Sequence, residues 1–177
     1  MGNQFSLLRK FVAPEIIFGK GARHLTGQYV SNFGARRSLL VSDPGVKDAG
    51  WLQQAETSLE AEGIQTSIYT DVSPNPREEQ VMQAARLYLE EGCDTIVSIG
   101  GGSAMDLAKA AAIVATNGGH ILDYEGVDKI RKTVPPLILI PTTAGSSADV
   151  SQFTIITNQQ ERVKIAIISK TIVPDVA

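Results

Sequence analysis

Short apolar runs alternate with helical periods along most of the chain. Three of these runs end at Asp43, Gly100 and Pro141, and each is followed by a turn-forming stretch rich in proline, glycine, serine or threonine. Between them, residues 51–63 and 73–92 carry apolar side chains at helical spacing and end on a glycine. Strands that alternate with helices predict an α/β fold, a Rossmann-like parallel sheet with helices on both faces.

Further β elements are predicted near the two ends of the chain. Residues 15–21 form a short apolar run with a glycine turn, which predicts an N-terminal strand. The runs 153–158 and 162–169 are separated by a polar link and predict a β-hairpin. The last residues, TIVPDVA, resemble a rising apolar strand without a turn or polar tail, so we expect the protein to continue into another domain.

Composition narrows the possible functions of the chain. Its 177 residues carry a net charge of −3, and a pI near 5.4 argues against nucleic-acid binding, which needs a concentrated basic face. We find no apolar run of about 18 residues and no signal peptide, so we expect a cytoplasmic protein without membrane association. The opening MGNQFS does match the N-myristoylation pattern, but that pattern is short. Cys93 is the single cysteine, and we expect it to be a partly buried structural thiol.

Polar and small residues follow several of the predicted strands. Ligands of open α/β sheets bind beyond the carboxyl ends of the strands, so these residues form the candidate site. They contribute glycine, serine, threonine and asparagine with one acid, and suit backbone contacts to phosphate better than acid–base catalysis. The set comprises Asp43, Asn75, residues 100–103 and residues 142–147.

The glycine turn is the strongest single feature of that set. Gly100, Gly101 and Gly102 would let the main chain approach a pyrophosphate closely. Ser103 is predicted to be the N-cap of the next helix, with Asp106 as its capping-box partner. The turn matches neither the G-x-G-x-x-G fingerprint nor the P-loop. A plain tight turn between strand and helix remains the alternative.

Three other positions have both a binding and a purely structural interpretation. The hydroxyls of Thr142 and Thr143 can bond a ribose or phosphate, or they can satisfy their own loop. Asp43 can accept from both ribose hydroxyls and repel a 2′-phosphate, which favours NAD over NADP, or it can simply initiate a turn. Asn75 lies between two prolines and can equally belong to a rigid turn.

Four motifs in order resemble the iron-containing (group III) alcohol dehydrogenases: VSD, SPNP, GGGSAMDLAKA and PTTAGSSADVS. The resemblance implies that residues 1–177 are a dinucleotide-binding domain and that a helical metal-binding domain lies outside this chain. It also implies that Gly101, Gly102 and Ser103 bind the pyrophosphate and that Asp43 contacts the adenosine ribose. Other residues would line the rest of the cleft: Asn75, Thr142, Thr143 and Lys164. Ser146 replaces a threonine common in the family but keeps the hydroxyl.

The family's reaction is reversible hydride transfer between a primary alcohol and NAD, assisted by a divalent metal, usually Fe2+. Its metal ligands, one Asp and three His, belong to the second domain. Here His24 and His120 lack a spacing suited to a metal, and we expect them to be ordinary surface or packing residues. The resemblance thus predicts that the chain holds the NAD part of the site without catalytic or metal-ligating residues, so that alone it has little turnover. It further implies a small alcohol or aldehyde as substrate and a homodimer.

Two other functions remain open at this point. A glycerol dehydrogenase or dehydroquinate synthase relative would share this domain but use other metal ligands. A non-catalytic NAD-binding module would need no second domain. The motifs PTTAGSS and GGGSAMDLAK favour the alcohol dehydrogenase branch.

Overall fold

A computed structural model describes residues 12–177, so the myristoylation pattern at Gly2 and Ser6 lies outside the described residues. The centre of the fold is a parallel four-stranded sheet in the order β2-β1-β3-β5. Its register pairs Leu40 with both Ile68 and Val97. The strands are β1 (Arg37–Ser42), β2 (Gln65–Tyr69), β3 (Thr95–Gly100) and β5 (Leu137–Pro141).

Helices cover both faces of this sheet, as the alternating pattern predicts. On one face, Leu40 and Val97 pack with residues of α1 and α3; on the other, Leu39 and Ile96 pack with residues of α4 and α5. The predicted Rossmann-like α/β fold is therefore confirmed. The helices are α1 (Thr26–Asn32), α2 (Pro44–Asp48), α3 (Trp51–Ala61), α4 (Glu78–Glu90) and α5 (Gly102–Asn117).

A second, three-stranded sheet packs against α5. Its strands β6 (Phe153–Asn158) and β7 (Val163–Ile168) form the predicted antiparallel hairpin. The two-residue strand β4 (Gly126–Val127) pairs in parallel with β7 and was not predicted. Ile156, Ile165 and Ile167 join α5 in one core cluster. Thus α5 lies between the two sheets, with its N-terminus at the end of β3.

The chain ends form less β structure than their apolar patterns predict. Glu15 makes a single parallel bridge to Val176, which also bridges to Ile138. The predicted N-terminal strand is short because Pro14 has no N–H and the chain turns at Gly19, where φ is 157°. The final segment begins as a 3-10 helix (Lys170–Ile172) before reaching this bridge, so its prediction as a strand was wrong except at Val176.

The single cysteine, Cys93, is buried, and burial raises the pKa of its thiol, which fits a structural role.

Short 3-10 turns accompany the helices. The predicted first helix starts with one such turn (Ala22–Leu25) before α1, and another spans Ile121–Tyr124. Within residues 12–177, none of the helices combines the length and apolar character needed to cross a bilayer.

Candidate functional site

The ends of all four parallel strands open into one cleft of about 680 Å³. Open α/β sheets bind ligands at this edge, where the strand order reverses. Here the order reverses between β1 and β3, because β2 lies on the outer side of β1 and β5 on the outer side of β3. The cleft is lined by Asp43, Pro44, Gly45, Val46, Ala49, Trp51, Val72, Ser73, Pro74, Gly101, Gly102, Ser103, Ala104, Thr142 and Thr143. The structure therefore brings together residues that are distant in the sequence.

The glycine turn joins β3 to α5 without a side-chain cap among the described residues. Gly101 is the N-cap in extended conformation, with φ −79° and ψ −174°, and the helix begins at Gly102. The first N–H groups of an α-helix have no partner inside the helix, and here they lie at the cleft. The arrangement suits an anion at the positive end of the helix dipole.

Side chains at the three glycines would close this turn. A Cβ at Gly100 would lie 2.6 Å from the Cβ of Ala104, too close without a shift of the backbone. At Gly102 it would lie 3.0 Å from the Cβ of Ser146, and at Gly101 3.3 Å from Oγ1 of Thr143. The glycines therefore allow the threonine and serine loop to approach the start of α5.

The prediction that Ser103 caps α5 with Asp106 was wrong. Because Gly101 is extended, the helix starts one residue before Ser103, whose Oγ instead accepts a 3.3 Å hydrogen bond from the N–H of Asn75. Asp106 is not among the residues that line the cleft. Its carboxyl lies towards β6, where burial raises its pKa to about 6 against the opposing effects of Lys109 and the Ile155 N–H.

Asp43 has the capping role that Ser103 lacks. It is the N-cap of α2, and its Oδ1 accepts from the N–H of Val46 at 3.0 Å. Its second oxygen, Oδ2, lies beside the glycine turn, 3.2 Å from the position of a Cβ at Gly100. One carboxylate oxygen of Asp43 is thus fixed by α2, while the other lies next to the glycine turn.

The loop after β5 is attached to the glycine turn through the backbone. Thr142 donates its N–H to the carbonyl of Gly100 at 2.9 Å, which fixes the start of the loop. Thr142 and Thr143 line the cleft as predicted. Ser146 lies against Gly102, and its Oγ accepts from the N–H of Ala148 at 3.4 Å.

Asn75 and Lys164 form a polar pair next to Ser103. Asn75 has a left-handed backbone with φ 58°, consistent with the rigid turn considered for it. Its Oδ1 accepts from Nζ of Lys164 at 2.6 Å, and its carbonyl accepts from Oγ1 of Thr157 at 3.4 Å. Neither Asn75 nor Lys164 is among the residues that line the cleft, contrary to the prediction, but Ser103 lines it and accepts from the N–H of Asn75.

Sequence reasoning missed one buried charge close to this site. Lys109 on α5 is 0% exposed, and its Nζ donates to the carbonyl of Ser151 at 2.7 Å, to Oγ of Ser151 at 3.3 Å and to the carbonyl of Phe153 at 3.2 Å. Burial lowers the pKa of Lys109 to about 8, while Asp106 and Asp149 oppose that shift. The available signal was a lysine surrounded by alanines, at positions 108 and 110–112.

The two histidines are exposed, and His120 caps the short 3-10 turn through Nδ1, which accepts from the N–H of Leu122 at 3.4 Å. This fits their predicted role as ordinary surface residues. Across residues 12–177, no three His, Cys, Asp or Glu side chains come together in a way that could hold a metal ion.

Comparison with known proteins identifies the family. Residues 13–177 match the family model described as iron-containing alcohol dehydrogenase. The chain belongs to the iron-containing alcohol dehydrogenase family. It is 41% identical over 167 residues to alcohol dehydrogenase 4 of Saccharomyces cerevisiae (strain YJM789), which covers 94% of this chain and 44% of that protein. It is 35% identical to the NAD-dependent methanol dehydrogenase of Bacillus methanolicus, with the same two coverages of 94% and 44%.

Solved structures of this family have the same fold. A 1,3-propanediol oxidoreductase superposes with a TM-score of 0.92 at 31% identity, over 96% of this chain and 44% of that one. The chain thus spans less than half the length of these relatives.

Proposed function

We propose that this chain binds NAD(H) for a metal-dependent alcohol dehydrogenase that interconverts a primary alcohol and its aldehyde. The observation that carries the proposal is the Gly100–Gly102 turn, whose lack of side chains leaves the start of α5 open to an anion. The family membership and the NAD dependence named for the Bacillus methanolicus relative support this choice of ligand.

Each part of the dinucleotide has a suitable group in the cleft or bonded to a residue that lines it. The first N–H groups of α5 would donate to the pyrophosphate, assisted by the hydroxyls of Ser103 and Thr143, which line the cleft. Asp43 would accept from the adenosine ribose through the oxygen that does not cap α2. A carboxylate there disfavours a 2′-phosphate, so we expect NAD to bind better than NADP. Asn75 and Lys164 would contact the remaining half of the cofactor. Bound NAD supplies the hydride acceptor.

The described residues do not fit the iron of this family, because they offer no cluster of metal-ligating side chains. The resemblance assigns the metal ligands to a helical domain outside these residues. We propose that here, too, the cofactor and the metal are held by different domains. We expect this chain alone to bind the cofactor with little turnover.

We further propose a homodimer that forms through residues 15–21, the predicted N-terminal strand. Ile16 is 62% exposed and Phe18 is 98% exposed, so this segment presents large apolar side chains to solvent. Sedimentation velocity is expected to show a dimer that Phe18→Ser weakens. A monomer at all concentrations would contradict this part of the proposal.

Calorimetric titration of the chain with NAD and NADP tests the main proposal. We expect saturable NAD binding with one site per chain and weaker NADP binding. If neither nucleotide binds at millimolar concentration, the assignment of the glycine turn is wrong.

A further inference from the structure

Trp51 occupies a position that the proposed function does not use. It is the one tryptophan of the chain and the first residue of α3. Its side chain is 45% exposed, although tryptophan is a large residue that proteins usually bury for the most part. A half-exposed indole beside a cavity offers a broad, flat and largely apolar surface.

Two cavities of different character meet at this side chain. The nucleotide cleft lies on one side. On the other is a cavity of about 410 Å³ that is lined mainly by apolar residues of β5 and of the chain ends, such as Ile138, Ile140 and Val176. Trp51 and Thr142 line both cavities. The second cavity has a volume typical of small-molecule sites, roughly 300–1,000 Å³.

The order of groups in a dinucleotide indicates which group lies beside Trp51. This step rests on the proposed function, which places the pyrophosphate on the glycine turn and the adenosine ribose at Asp43. Because the adenine ring is bonded to that ribose, it must lie next to Asp43. Ser103 lines the cleft, and its Oγ accepts from the N–H of Asn75, whose Oδ1 accepts from Lys164, so polar groups gather there. Trp51 instead lines both the cleft and the apolar cavity.

We propose that the indole of Trp51 forms the surface on which the adenine ring lies, at the opening between the cleft and the apolar cavity. An uncharged aromatic base gains from contact with an aromatic side chain and from the removal of its faces from water. Trp51 is therefore a binding residue for the adenine half of the cofactor.

Tryptophan fluorescence tests this proposal on the unaltered chain. All tryptophan emission arises from position 51, because the sequence contains no other tryptophan. We expect ADP, which carries adenine and pyrophosphate, to change the emission in a saturable manner. Nicotinamide mononucleotide, which lacks adenine, should leave it unchanged. Equal responses to both ligands, or no response to ADP while calorimetry detects its binding, would overturn the assignment of Trp51.

Variants give a second, independent measurement. Trp51→Ala is expected to weaken ADP and NAD binding by about tenfold or more, whereas Trp51→Phe, which keeps an aromatic face, should lose only about threefold. Phe33→Ala is the matched control, since Phe33 is 43% exposed but does not line either cavity. Thermal unfolding of each variant separates loss of binding from loss of folding.

The outcomes distinguish this inference from the proposed function. If the unaltered chain binds NAD and Trp51→Ala binds it equally well, the role of Trp51 is wrong and the NAD site survives. If the unaltered chain binds neither NAD nor ADP, both are overturned. If Trp51→Ala is unfolded, the result for Trp51→Phe and the fluorescence of the unaltered chain decide.

Discussion

The glycine turn and Lys109 lie about two turns apart on the same helix, but their hydrogen-bond donors differ in exposure and in partners. At the turn, the first N–H groups of α5 lie at an open cleft without a side-chain cap from the described residues. At Lys109, one ammonium group is fully buried and donates to three acceptors in residues 151–153. The N–H groups of the first region lie at the cleft, and the ammonium group of the second joins α5 to the start of β6.

The contrast teaches which substitutions should affect binding and which should affect folding. Removal of a buried charged group leaves its hydrogen-bond partners unsatisfied, so we expect the free energy of unfolding to fall. A backbone donor at a cleft contributes little until a ligand arrives. Changes at the turn should therefore reduce NAD affinity more than stability, and changes at Lys109 should do the reverse.

The largest expected effect is the loss of stability in Lys109→Ala. The substitution leaves the carbonyls of Ser151 and Phe153 without their buried donor, and each unsatisfied acceptor typically costs about 1–3 kcal/mol. Urea unfolding measures the change, with the exposed Lys132→Ala as control, expected within about 0.5 kcal/mol of the unaltered chain. Equal stability of the two variants would remove the contrast between the regions.

The next effect is a loss of NAD affinity in Gly102→Ala. The new Cβ would lie 3.0 Å from Ser146 and narrow the cleft, so we expect at least tenfold weaker binding, about 1.4 kcal/mol. Gly34→Ala is the matched control. It is strained because φ is 73°, but it lies outside the cleft and should keep normal NAD affinity. Loss of NAD affinity in both variants would point to general destabilisation.

Asp106 should make stability depend on pH in the weakly acidic range. Its folded-state pKa is raised from 3.8 to about 6, so between these values the folded chain holds a proton that the unfolded chain has released. The free energy of unfolding should therefore fall as pH rises through this interval, by at most about 1.4 kcal/mol per pH unit. Asp106→Asn should remove this slope, and the exposed Asp48→Asn should keep it. Parallel pH profiles for the unaltered chain and Asp106→Asn would show that Asp106 titrates normally.

The smallest expected effect is a change of cofactor preference in Asp43→Ser. Serine can still cap α2 but carries no charge, so the ratio of NADP to NAD affinity should rise roughly fivefold, about 1 kcal/mol. The exposed Asp48 at the other end of α2 provides the control Asp48→Ser. An unchanged ratio would indicate that Asp43 serves only as a cap.

Local pattern was sufficient for most of the fold and for the position of the cleft. The apolar runs that end at Asp43, Gly100 and Pro141 became parallel strands whose ends meet, which follows from topology alone. Local pattern failed for Ser103 and Asp106, because the extended backbone at Gly101 makes that residue the N-cap, two residues before the predicted one. It also gave no partner for Lys109, since the acceptors at Ser151 and Phe153 lie at and just before the start of β6, more than 40 residues away in sequence.

The most direct test of the central claim is a two-dimensional amide NMR titration of the chain with NAD. The account predicts that the amides of Gly101, Gly102 and Ser103 shift first and furthest, together with those of Thr142 and Thr143, while the amides around Lys109 and Ser151 move little. Absence of shifts at millimolar NAD, or shifts centred away from the glycine turn, would contradict it.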